Sequence, residues 1–173
     1  TLGQAAAAAS GLDKAATSAL VESWKTIATT SFNLGGLIGT LLTIPLAKQL
    51  GRKPMFAIYF GVSALALMAT FGLDLPEETR LYAYFFIGLS VFGVFGSFTY
   101  YLPELYPTRL RATGAGFCYN IGRVVAAAGP YVVGSVAAAG AGSPAVILNA
   151  LFAVAFVPLA GLLFIPLVVE TRG

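Results

Sequence analysis

Charged residues are thinly scattered along this chain, and between them lie apolar stretches of spanning length. A helix that crosses a bilayer needs about 20 predominantly apolar residues. Five such segments can be read: Thr26–Ala47, Met55–Leu73, Leu81–Leu102, Ala112–Ala139 and Ala145–Val169. Lys48 closes the first, Lys53 and Asp74 flank the second, and Arg80 and Glu104 flank the third. The fourth is interrupted by a single charge, Arg123, and the fifth has none. Backbone groups in lipid must satisfy one another, so each segment is predicted to be a helix. The expected fold class is an all-α membrane protein, a bundle of five transmembrane helices. Residues 1–25 are Ala- and Ser-rich, with few large apolar side chains. They are predicted to be a partly helical aqueous loop, leaving 26–173 as the transmembrane bundle.

Composition narrows the function classes. The 173 residues are 58% hydrophobic and only 10% charged, against about 25% charged in soluble domains. That disfavours a soluble globular fold, and a nucleic-acid binder more so. With no histidine and one cysteine, the chain supports neither a zinc cluster nor a Ser-His-Asp triad. No metal or cofactor is expected, and no enzyme activity. Cys118 reads as a small packing residue. The start has no methionine and no basic segment before a short apolar core, so no signal peptide is expected there and the chain reads as a fragment.

Charge placement predicts orientation. Lys48, Arg52, Lys53, Arg109, Arg111 and Arg172 fall on one side, and Lys14, Lys25 and Arg80 on the other. Excess Lys and Arg marks the cytoplasm, so the N-terminus is expected outside and the C-terminus inside a cytoplasmic membrane. Within the spans, Gly35 with Gly39, Gly93 with Ser97, Gly122 with Ala126 and Gly134 with Ala138 stand four apart, a spacing that lets helix backbones approach closely. Pro130 and Pro158 are predicted to kink their helices.

Arg123 is the most informative residue. It lies about nine residues past Gly114, roughly 13 Å into the fourth span and near the midplane. A guanidinium at that depth must face protein, water or an anion. Gly116, Tyr119 and Asn120 share its helical face. A guanidinium fork, an amide and a phenol suit a carboxylate or a polyol, and a structural Arg held by a neighbouring helix is the alternative. None of the five spans contains Asp or Glu, so neither a counter-ion nor a proton-carrying carboxylate comes from within them. Asn33, at similar depth in the first span, either lines a polar cavity or bonds to another helix. Tyr100 and Tyr101 suggest an interfacial aromatic belt. Glu104 and Arg111 flank a bend forced by Pro107. Glu104 could pair with Arg111 or with Arg52 as a cytoplasmic latch, or these could be exposed charges worth little.

Four motifs in order carry a resemblance. Glu104, Pro107, Arg111 and Gly114 match E-x-x-P-x-x-x-R-x-x-G. Gly116-Phe117-Cys118-Tyr119-Asn120-Ile121-Gly122-Arg123 follows it. Leu46-Ala47-Lys48-Gln49-Leu50-Gly51-Arg52-Lys53 precedes it, and Glu170-Thr171-Arg172-Gly173 closes the chain. Residues 26–173 thus resemble helices eight to twelve of a major facilitator superfamily transporter, in the sugar-porter and organic-acid:proton symporter branch. Lys48 stands where the family usually has an acid, Ile44 where it has Gly, and Val169 where it has Pro. With the acid replaced, the resemblance implies a gate through Arg52 and Glu104, with Arg111 beside them. It also implies a twelve-helix secondary transporter whose substrate sits between two halves. The expected partners are the lipid bilayer, the N-terminal half, a small organic anion held by Arg123, Asn120, Tyr119 and Asn33, and a coupling proton. A sugar or polyol porter, or a non-transporting five-helix subunit, are the alternatives.

Overall fold

The structure, a computed structural model, describes residues 13–139 and 143–171. Six α-helices follow in order: α1 Lys14–Leu50, α2 Arg52–Gly72, α3 Glu77–Glu104, α4 Arg111–Ala139, α5 Pro144–Ala153 and α6 Phe156–Leu163. A 3-10 turn at Ile165–Leu167 ends the helical part. No strand occurs among the described residues. Four helical stretches are long and apolar enough to cross a membrane: Ala15–Leu50, Arg52–Gly72, Glu77–Glu104 and Ala145–Leu167. The 29 residues of α4 extend roughly 43 Å, enough to span, although Asn120, Arg123 and its many Gly and Ala make it less apolar. The chain is an all-α, multi-pass membrane protein.

The first helix begins well upstream of the apolar segment. It runs unbroken for 37 residues, so residue 26 marks a change of composition and not of secondary structure. Hydroxyls that would compete with a helix instead bond back to its carbonyls: Thr17 to Asp13 O at 2.9 Å, Ser23 to Leu20 O at 2.8 Å and Thr26 to Glu22 O at 2.9 Å. Residues 1–12 of the expected loop lie outside the described residues.

The fifth segment is not one helix. It breaks at Val154–Ala155, between α5 and α6. Pro158 explains the position: its ring clashes with the carbonyl four residues earlier, that of Val154, and it offers no N–H to it. The freed groups close tighter turns, with Val154 N–H donating to Leu151 O at 3.2 Å and Val157 N–H to Val154 O at 3.0 Å. By contrast α4 continues through Pro130.

Helices α1 and α3 form the tightest seam. A Cβ on Gly35 would strike the Phe85 carbonyl, one on Gly39 the Leu89 carbonyl, and one on Gly88 the Phe32 carbonyl. Backbone approach this close requires glycine on both helices. Helix α2 adds the buried core of Met55, Phe56 and Tyr59 against Ala47 and Tyr101. The Tyr59 hydroxyl donates to Gly39 O at 2.8 Å and meets Thr43 Oγ1 at 3.0 Å, and Thr43 Oγ1 reaches Gly93 O at 3.1 Å. A buried polar knot thus ties α1, α2 and α3 together. Tyr101 belongs to this core rather than to an interfacial belt. It is 7% exposed, donates to Val169 O at 3.2 Å and accepts from Val169 N–H at 3.0 Å, anchoring the tail that follows α6.

Candidate functional site

Two regions collect the residues singled out by sequence. The first is where the α1–α2 turn, the end of α3 and the tail meet. Gly51 takes φ +97°, a conformation that favours glycine, and so reverses the chain in one residue. That turn places Arg52 at the start of α2, facing Glu104 at the end of α3. Arg52 Nη2 lies 2.7 Å from Glu104 Oε1 and Arg52 Nε lies 3.2 Å from Glu104 Oε2. This is a two-pronged pair, with side chains 13% and 33% exposed. Arg52 Nη1 donates to Ala47 O at 3.2 Å, and the guanidinium carbon stands 5.0 Å from the Tyr100 ring centre. Thr171 donates its hydroxyl to Glu104.

Glu170 completes this cluster in a way the sequence pattern did not indicate. Its carboxylate accepts the backbone N–H of Arg52 at 2.8 and 2.9 Å and that of Lys53 at 3.1 Å. The first turn of a helix leaves N–H groups without intrahelical partners and attracts negative charge, so a carboxylate from the tail satisfies α2 from outside. The only sequence signal for Glu170 and Thr171 was their place in the closing motif. Arg111 is exposed and forms no ion pair with Glu104. Of the two partners considered for Glu104, the folded chain chooses Arg52.

The second region is a cavity of about 530 Å³ between α1, α3 and α4. Thr40 from α1, Phe92, Phe95 and Gly96 from α3, and Tyr119 and Arg123 from α4 line it. A narrower cleft of about 190 Å³ between α3 and α4 is lined by Tyr119 and Arg123 as well. Arg123 is exposed to this space. Among the described residues it has no ion-pair or hydrogen-bond partner, and the Tyr119 ring centre lies 5.8 Å from the guanidinium carbon.

The four expected binding residues do not converge. Tyr119 and Arg123 share the cavity. Asn120 is one position round the helix, and its amide Nδ2 donates to Gly116 O at 2.8 Å. Asn33 lines a separate cavity of about 540 Å³ with Thr29, Leu67, Phe71 and Tyr84. Phe32 lines both cavities, and the step of about 100° per residue turns Asn33 away from Arg123. Sequence reasoning missed Phe92 and Phe95, because an apolar ring in a spanning helix carries no signal of which way it faces.

Comparison with known proteins follows the same lines. The chain is 35% identical over 143 residues to the "Probable 4-methylmuconolactone transporter" of Cupriavidus pinatubonensis, covering 80% of this chain and 32% of that protein. It is 34% identical over 91 residues to an inner membrane metabolite transport protein of Escherichia coli, covering 50% of this chain and 21% of the relative. It is homologous to transporters of the major facilitator type. A gallate transporter of Pseudomonas putida, 26% identical over 113 residues, extends the set and is covered over 25% of its length. The chain therefore spans about a third or less of these major-facilitator relatives. No protein-family model matches the chain, and no solved structure does.

Proposed function

We propose that this chain forms helices eight to twelve of a secondary transporter that takes up a small organic anion, a carboxylate, with a proton across the cytoplasmic membrane. The observation that carries the reading is Arg123, a cation in an open cavity with no protein counter-ion among the described residues. A guanidinium left unpaired at membrane depth is costly unless an anion or water meets it, and its planar fork matches a carboxylate. The metabolite, 4-methylmuconolactone and gallate transporters among the relatives support the substrate class. A coupling proton would need a carboxylate from beyond these five spans, which contain none. In this reading residues 1–25 are extracytoplasmic and 26–173 build the bundle. Arg52 and Glu104 latch the cytoplasmic ends, and the charge of Arg111 also acts on Glu104.

The test is uptake by proteoliposomes carrying the full-length transporter, offered carboxylates and sugars under an imposed pH gradient. Carboxylate uptake should rise with the inward proton gradient and be lost in Arg123→Gln at unchanged abundance. Sugar uptake indifferent to Arg123 would overturn the anion reading. Orientation is read separately, in a Cys118→Ser background. Thr108→Cys should be shielded from an impermeant thiol reagent in intact cells, and Pro76→Cys should react. The reverse pattern would invert the topology.

A further inference from the structure

We propose that the Arg123 cavity selects a flat, ring-bearing carboxylate, and that Phe92 and Phe95 are its specificity-determining residues. The inference rests on the anion reading of Arg123 and names the part of the substrate which the guanidinium does not touch. Phe92 and Phe95 are three apart on α3 and so share a face. Both line the cavity and are 38% and 39% exposed. Across from them Tyr119 and Arg123, four apart on α4, also share a face. The space thus lies between phenyl rings on one side and a phenol with a cation on the other.

The Phe92 ring is held in place. It sits in the notch left by Gly36, where an added Cβ would come within 2.6 Å of its Cδ2. The Phe32 ring meets it edge-on, with centroids 5.4 Å apart and planes at 66°. Phe95 is braced edge-on by Phe98 at 6.1 Å and 80°. Rings fixed by their neighbours present a preformed apolar face, which lowers the ordering cost of binding.

On this chain's side of the cavity the polar equipment is sparse. Among the described residues Arg123 is the single cation that lines it. The Thr40 hydroxyl already donates to Gly36 O at 2.9 Å. A polyol needs donors and acceptors around its whole rim, and each hydroxyl left unpaired against a phenyl wall costs binding. A planar ring-bearing carboxylate fits both sides: its carboxylate takes the guanidinium fork, and its π face meets phenyl rings in offset or edge-to-face contact.

The test compares benzoate with cyclohexanecarboxylate, which has the same carboxylate and ring size but no π face, as competitors for uptake in the full-length transporter. Acetate serves as the bare carboxylate. Wild type should prefer benzoate over cyclohexanecarboxylate by about two- to tenfold, the range expected of aromatic pairing. In Phe92→Leu and Phe95→Leu, which keep apolar volume and remove the ring, the ratio should fall towards one while both acids still depend on Arg123. Equal affinity of wild type for the two ring acids would overturn the inference and leave the anion reading standing, provided Arg123→Gln abolishes both. Carboxylate uptake that ignores Arg123→Gln would overturn the anion reading itself, and the inference with it. Should either leucine variant fail to reach the membrane, Phe92→Met and Phe95→Met, which also remove the ring and keep an apolar side chain, take its place, and an unchanged ratio there would overturn the inference.

Discussion

Arg52 and Arg123 carry the same guanidinium under opposite conditions. Arg52 is gripped on every side: Glu104 takes two of its donors, Ala47 O a third, and Tyr100 lies beneath it. Arg123 stands in an open cavity, without an ion-pair or hydrogen-bond partner among the described residues and with its guanidinium carbon 5.8 Å from the Tyr119 ring centre. The helices that bear them differ in the same way. Arg52 opens α2, which packs into the α1–α3 core, whereas Arg123 lies on α4, which has no buried residue along its described length. A guanidinium held by partners on all three nitrogens holds structure together. One left free on a loosely packed helix is equipped to hold something else. The comparison teaches that an intramembrane charge is read by the partners it lacks as much as by its depth.

The largest expected effect tests the packing half of that contrast. Gly88→Val drives a side chain into the Phe32 carbonyl of α1 and should destabilise the bundle by about 3 kcal/mol or more. Gly122→Ala on α4, where a Cβ meets nothing within 4 Å, should cost less than about 0.5 kcal/mol. Membrane abundance and unfolding in detergent report both. Comparable losses for the two would erase the distinction between seam and free helix.

Next comes Arg123→Lys, which keeps the charge and loses the planar fork. Affinity for a carboxylate substrate should fall about tenfold or more, at unchanged abundance, because no acid among the described residues loses a partner. Normal affinity with collapsed abundance would instead make Arg123 structural, like Arg52.

The smallest effects concern the paired cluster. Glu104→Gln removes the charge from a half-shielded pair and should cost about 1–2 kcal/mol in detergent unfolding. Arg111→Gln in the same assay should cost less than about 0.5 kcal/mol. If Arg111 proves the costlier loss, the choice of Arg52 as the partner of Glu104 is wrong.

The legible and illegible parts of the fold divide along one physical line. The spans could be read because apolar length is a property of consecutive residues. The structure adds two details to that reading. Helix α1 starts at Lys14 because alanines and back-bonded hydroxyls sustain a helix with little apolar surface. The last span breaks at Val154 because Pro158 acts four residues upstream of itself. Arg123 could be singled out because a lone charge in an apolar run is visible without a partner. Phe92, Phe95 and Glu170 could not, since each matters through a contact with a distant segment.

The amino-acid order by itself determined that this is an all-helical membrane chain, where its charges cluster, and that Arg123 is exceptional. Those outcomes follow from local solvation: a backbone in hydrocarbon must hydrogen-bond within its own segment, and a charge there is costly whatever surrounds it. Only the tertiary structure decided which charges pair. Glu104 had Arg52 and Arg111 within plausible reach, and the turn at Gly51, with Glu170 capping α2, brought Arg52 to it. It decided too that Asn33 and Arg123 line different cavities. Pairings between segments depend on how whole helices are rotated and seated, and on this seam the packing of Gly35, Gly39 and Gly88 against opposing backbone sets that rotation.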